Sequence, residues 1–165
     1  MSLSEKQMRE LAEKLGECMS EKSLMLASAE SCTGGWLAKI ITDIPGSSAW
    51  FAGSVVSYSN GVKNSILDVQ PTTLKDFGAV SGETVMAMSE GLFAHTNADL
   101  VVSISGIAGP GGGSEDKPVG LVWMNWGRRE ESMFARSYHF EGEREDVRKQ
   151  AVAQALNNLL DCLDC

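Results

Sequence analysis

The chain has 165 residues, 43% of them hydrophobic, with a formal net charge of -8 and a pI near 4.7. That length fits one domain, 1–165, able to bury a core without disulfide staples or a structural metal. The acidity excludes broad electrostatic binding to DNA, RNA or an anionic membrane, which rests on clustered Lys and Arg. An anionic small molecule needs only a few local cations, and Lys63, Arg144 and Arg148 are candidates.

The start, Met1-Ser2-Leu3-Ser4-Glu5-Lys6, has neither the basic onset nor the apolar stretch of a secretory leader, and no segment reaches the roughly 18 consecutive apolar residues of a membrane span. A cytoplasmic location is therefore expected, and Cys18, Cys32, Cys162 and Cys165 are expected as reduced thiols. Cys162-Leu163-Asp164-Cys165 is a CxxC without a second one, and His95 and His139 lie in unrelated patterns, so no metal site is expected.

Met8, Leu11, Leu15 and Cys18 recur at helical spacing and predict a helix over 4–22. A short apolar run predicts a buried strand over 24–29, followed by a helix over 34–42 that stops at Asp43-Ile44-Pro45-Gly46. A second strand is predicted over 53–59. Val85, Met88 and Leu92 stripe a helix from an N-cap at Ser81 to about His95, and the β-branched run 100–105 is strand three. Segments 119–126 and 132–140 form a hairpin across Gly127-Arg128-Arg129-Glu130, and Val152, Leu156, Leu159 and Leu163 mark a final helix. Five strands interleaved with helices predict one α/β sandwich, and the hairpin makes its sheet mixed. Trp36, Trp50 and Phe51 are expected as core, with a dimer contact as the alternative.

Ser31, in Ala29-Glu30-Ser31-Cys32-Thr33-Gly34-Gly35, sits where strand gives way to helix. Helix capping is the ordinary role for a serine there. The same place also suits a nucleophile, with the N–H groups of Thr33, Gly34 and Gly35 expected free to face a phosphate or an acyl oxyanion. Ser31, Tyr58 and Ser105 each fall at the expected carboxyl end of a strand, where open α/β sheets bind ligands. Tyr58-Ser59-Asn60-Gly61-Val62-Lys63 supplies a phenol, a turn and an amine, although a plain turn with a solvated lysine is the common outcome. Gly106-Ile107-Ala108-Gly109-Pro110-Gly111-Gly112-Gly113 is neither a Walker loop nor GxGxxG, yet its amides can approach a phosphate or ribose closely. Ser114-Glu115-Asp116-Lys117 matches Ser-x-x-Lys by chance, because it lies in a loop without the accompanying motifs.

Together with Gly78-Ala79-Val80-Ser81, Lys117-Pro118-Val119-Gly120 and Phe140-Glu141-Gly142-Glu143-Arg144, these segments resemble, in order and over nearly the whole chain, the CinA C-terminal domain family. The resemblance implies a three-layer α/β/α sandwich with a mixed, mostly parallel five-stranded sheet, in a form without the molybdopterin-binding-like domain of longer members. It implies nicotinamide-nucleotide amidohydrolase activity, converting nicotinamide mononucleotide to nicotinate mononucleotide and ammonia in pyridine nucleotide salvage, without metal or cofactor. By the same resemblance Ser31 is the nucleophile, Lys63 the base and Tyr58 an orienting neighbour. Thr33, Gly34 and Ser105 serve the oxyanion or support it, while Gly35, Asn60, Gly106, Ala108, Gly109 and Arg144 contact substrate. Ser105 replaces the family's usual Thr, keeping the hydroxyl and losing the methyl. The implied partners are the nucleotide and a second copy in a homo-oligomer, a dimer, with no nucleic acid and no membrane. A non-catalytic nucleotide-sensing or interaction module and an amidase for another small amide are the alternatives.

Overall fold

The computed structural model describes residues 4–165; Met1, Ser2 and Leu3, part of the segment read for a leader, lie outside the described residues. Helix α1, Glu5–Glu21, opens with a capping box in which the Ser4 hydroxyl accepts from the Gln7 N–H and the Gln7 side chain accepts from the Ser4 N–H. There follow β1 Leu26–Glu30, α2 Trp36–Thr42, a 3-10 turn Ser47–Ala49, β2 Phe51–Val56, α3 Asn60–Leu67, α4 Pro71–Phe77 and α5 Gly82–His95. The chain ends with β3 Leu100–Gly106, β4 Leu121–Arg128, β5 Phe134–His139 and α6 Arg144–Cys162. No helix among the described residues is long and apolar enough to cross a membrane.

The five strands form one sheet in the order β2-β1-β3-β4-β5. β1 runs parallel to β2 and β3, and β4 runs antiparallel to both β3 and β5, so four strands point one way. Period-2 alternation gives the sheet two apolar faces. Leu26, Leu100, Val102, Ile104 and Met124 pack with Met8, Leu15, Leu37, Leu156 and Leu159 of α1, α2 and α6. Ala27, Ala29 and Val101 pack on the other face with Leu67, Val85, Met88 and Leu92 of α3 and α5. The result is the expected three-layer α/β/α sandwich with β1 near its middle. Trp50 lies in the first core, with Phe51 packed against it.

The second strand lies at 51–56 rather than 53–59. The Ser57 N–H adds one more rung to the Glu30 carbonyl, after which the chain leaves the sheet. Two helices were not expected. Asn60-Gly61 opens α3, because the Ser59 hydroxyl caps the Val62 N–H at 3.2 Å. Helix α4 starts with Pro71 in its first turn, where a missing N–H costs nothing. Helix α2 begins at Trp36 rather than at residue 34, because Gly34 and Gly35 hold φ of 60° and 95°, outside the helical region.

The expectation of four reduced thiols is corrected for two of them. The chain end folds back, with the Cys165 N–H on the Leu160 carbonyl, and Cys165 is disulfide-bonded to Cys18 of α1 across a Cα–Cα distance of 6.5 Å. Cys32 and Cys162 are free. The bond closes a loop 147 residues apart in sequence, the long-loop case in which a crosslink most restricts the unfolded chain. Cys165→Ser is expected to lower the Tm by about 5–15 °C in calorimetry; an unchanged Tm would show that the link contributes nothing to stability.

Candidate active site

Ser31 is the first residue beyond β1, and its N–H continues the ladder to the Ile104 carbonyl at 2.9 Å. Its hydroxyl faces the α3 side of the sheet. Lys63, on the second turn of α3, is 1% exposed, and its Nζ lies 2.9 Å from Ser31 Oγ. The same Nζ lies 2.8 Å from the Ser57 carbonyl and 3.2 Å from the Tyr58 carbonyl.

These three partners suit two protonation states. An ammonium donates to all three oxygens. A neutral amine donates its two hydrogens to the carbonyls and keeps a lone pair toward the Ser31 hydroxyl, the arrangement a base requires. No carboxylate pairs with Lys63 among the described residues. Burial therefore pushes its pKa down to about 8, and a charge on the neighbouring Cys32 sulfur would act in the opposite direction. At pH 7 roughly a tenth of the amine is then uncharged. Cys32 itself stays a thiol, because burial first and the Glu30 charge second push its pKa up to about 12.

Ser31 and Lys63 open into a pocket of about 200 Å³, shared with Cys32, Tyr58, Ala79, Val80, Ser105, Gly106, Ala108 and Arg144. Ser105 and Gly106 arrive at the end of β3, and the turn before α5 brings Ala79 and Val80. Tyr58 serves differently from expectation. Its carbonyl meets Lys63, whereas its ring is 60% exposed and its hydroxyl accepts from Arg144 Nη2 at 3.1 Å. Arg144, at the start of α6, also donates through Nη1 to the Gly109 carbonyl at 2.7 Å. Gly109 is thus joined to the pocket only through Arg144. Gly106 serves packing, since a Cβ there would come within 2.6 Å of Val122. Asn60 is an exposed residue in the first turn of α3, and Thr33, Gly34, Gly35, Asn60 and Gly109 do not line the pocket.

The expectation of three free N–H groups after Ser31 is corrected. The Gly34 N–H donates to the Ser31 carbonyl at 3.1 Å and the Gly35 N–H to Glu30 Oε2 at 3.0 Å. Of the four amides of residues 32–35, those of Cys32 and Thr33 have no protein acceptor among the described residues. Two residues shape this turn: Glu30, to which the sequence assigned no site role, and Arg148, expected as a candidate cation for an anionic ligand and found bonded to the turn instead. Glu30, wholly buried, accepts from Thr33 Oγ1 and from the Gly35, Leu37 and Ala38 amides. Arg148, stacked 5.4 Å over Trp36, donates to the Cys32 and Thr33 carbonyls at 3.0 and 3.1 Å. A carboxylate at the end of an otherwise apolar strand was the available signal for Glu30.

The sequence profile of the CinA C-terminal domain matches residues 8–163. The chain belongs to the CinA C-terminal domain family. Within that family it is 45% identical over 157 residues to the nicotinamide-nucleotide amidohydrolase PncC of Escherichia coli K12, covering 95% of each chain. It is 47% identical over 150 residues to the protein of the same name from Pseudomonas putida, covering 91% of this chain and 93% of that one. The crystal structure of the competence/damage inducible protein CihA from Agrobacterium tumefaciens superimposes with a TM-score of 0.93 at 36% identity, covering 100% and 99% of the two chains. This member of the CinA C-terminal domain family therefore shares its fold with solved relatives along its whole described length.

A lysine whose pKa is lowered by folding destabilises the native state while it must carry charge. The sign follows from proton counts: between about pH 8 and 10.5 the unfolded chain binds the extra proton, so stability rises with pH across that window. The unfolding free energy of the wild type, measured against Lys63→Met by urea melts at pH 7.5 and 10.5, is expected to rise by about 3 kcal/mol. A pH-independent difference would mean that position 63 carries an ordinary ammonium.

Proposed function

We propose that this chain hydrolyses the carboxamide of nicotinamide mononucleotide, releasing ammonia and nicotinate mononucleotide, with Ser31 as nucleophile and Lys63 as general base. The observation that carries the reading is the 2.9 Å contact between a buried, unpaired amine and the serine hydroxyl inside one pocket. Relatives at 45 and 47% identity named nicotinamide-nucleotide amidohydrolase support the substrate.

A serine hydroxyl attacks an amide only as it loses its proton. Neutral Lys63 takes that proton as Oγ bonds to the carboxamide carbon, and the charge moves to the carbonyl oxygen. The Cys32 amide, in a residue that lines the pocket and without a protein acceptor, is the donor left for that oxyanion, and one such donor typically contributes about a hundredfold or more in rate. The ammonium of Lys63 then returns its proton to the leaving nitrogen as the C–N bond breaks, which releases ammonia and leaves a nicotinoyl ester on Ser31. Water, deprotonated by the same amine, cleaves the ester and restores the hydroxyl. Arg144, exposed at the rim beside Tyr58, meets the nucleotide phosphate, and Ser105 supplies a hydroxyl at the pocket wall.

Ammonia release from nicotinamide mononucleotide by the purified protein, with chelator present, tests the reading. Ser31→Ala and Lys63→Met are each expected to lower kcat by at least about a thousandfold with folding retained. Arg144→Ala is expected to act mainly on KM, and to narrow the preference for the mononucleotide over the riboside. Wild-type turnover in Ser31→Ala would remove the covalent route. Equal use of riboside and mononucleotide by the wild type would favour an amidase for another small amide.

A further inference from the structure

We propose that Glu30 is a positioning residue for the oxyanion donor: a buried carboxylate that fixes the turn carrying the Cys32 N–H. The proposal rests on the serine hydrolase reading above. Glu30 is 0% exposed, and its two oxygens have separate duties. Oε2 accepts from Thr33 Oγ1 at 2.7 Å, the Gly35 N–H at 3.0 Å and the Leu37 N–H at 3.2 Å. Oε1 accepts from the Ala38 N–H at 2.9 Å, with the Ser54 hydroxyl at 3.5 Å. The carboxylate thereby occupies the start of α2, and the N–H groups that would otherwise draw an anion there are already used.

The far side of the turn is held by Arg148 through the Cys32 and Thr33 carbonyls. In a trans peptide the C=O and N–H point in opposite directions. The carbonyl of Cys32 faces Arg148, so the Thr33 N–H faces away from it. Glu30 fixes the other coordinate of the same residue by gripping the Thr33 hydroxyl. The two contacts together hold the turn at Thr33, the residue that follows the pocket-lining Cys32 and its N–H. A group bound at the α2 terminus would compete for the same donors, so the substrate's anion is directed instead to the Arg144 side of the pocket.

The sequence supports a sharp choice of variants. Gln at position 30 keeps size and one oxygen but presents an NH2 group to either the Ala38 N–H or the three donors on the other side. Val at position 33 keeps shape and removes only the hydroxyl that Glu30 holds. Two readouts are measured on each folded protein: kcat and KM for ammonia release, and the rate at which a fluorophosphonate labels Ser31, followed by intact mass. Labelling needs the nucleophile and the oxyanion donor but not the proposed substrate. Glu30→Gln and Thr33→Val are expected to lower kcat and the labelling rate together by about 10- to 100-fold, with KM within about threefold. Wild-type labelling rates in both variants, with only the Tm lowered, would overturn the proposal and leave Glu30 as a helix cap. If Glu30→Gln does not fold, Thr33→Val decides alone. If the wild type labels but releases no ammonia, the substrate assignment fails while the labelling comparison still judges Glu30.

Discussion

The rest of the site depends on an amine held inside the protein with two carbonyls and one hydroxyl as its only polar company. Lys63 is 1% exposed, and no carboxylate faces it among the described residues. Removing an ammonium from water without a counter-charge is unfavourable, and the protein meets that cost by letting the proton go more easily. The carbonyls of Ser57 and Tyr58 satisfy the hydrogens that remain, so the neutral form is the better guest. Stability and the proposed reactivity therefore draw on the same contact, with opposite sign: what makes Lys63 a poor core residue at neutral pH is what the proposed base role uses.

The fold supplies that contact through its topology. β1 lies between β2 and β3, and the helices that follow it leave on opposite faces, α2 with α1 and α6, and α3 with α5. The crevice beyond the carboxyl ends of β1 and β3 is such a reversal point, where open α/β sheets place their ligands. Ser31 comes from β1, Ser105 from β3, Lys63 from the helix after β2, and Arg144 from the helix after β5. Four separate segments thus converge, and the sheet register fixes their relative heights. Lys63 and Arg144 stand on helices and Ser31 directly follows β1, while the oxyanion donor sits in the tied-down turn after it and the glycine-rich segment is confined to one wall.

Much of this was legible in the chain. The amphipathic and alternating patterns gave five strands and four of the six helices, and the carboxyl-end positions of Ser31 and Ser105 pointed to one edge of the sheet. Helix α3 was hidden by Asn60-Gly61, a pair with turn chemistry that the Ser59 hydroxyl converts into a helix start. The donors at the Ser31 turn were misjudged for a related reason. Local sequence shows which amides start a helix, but Glu30 and the Ser31 carbonyl claim two of them through bonds that exist only once the turn has folded. The Tyr58 phenol was expected beside the nucleophile, yet the residue's carbonyl takes that place while its ring meets Arg144, 86 residues away in sequence. Side-chain direction at a strand exit is set by neighbours that no local pattern contains. The Cys18–Cys165 bond was missed because it joins the two ends of the chain.

The pH dependence of kcat/KM tests the central claim most directly, since it reports the free enzyme's base. The account predicts a rise with slope of one through an apparent pKa near 8, matching Lys63, followed by a plateau. A flat profile from pH 6 to 9, or a rise that begins only near the ordinary lysine range, would contradict an uncharged amine at position 63 as the acceptor of the Ser31 proton.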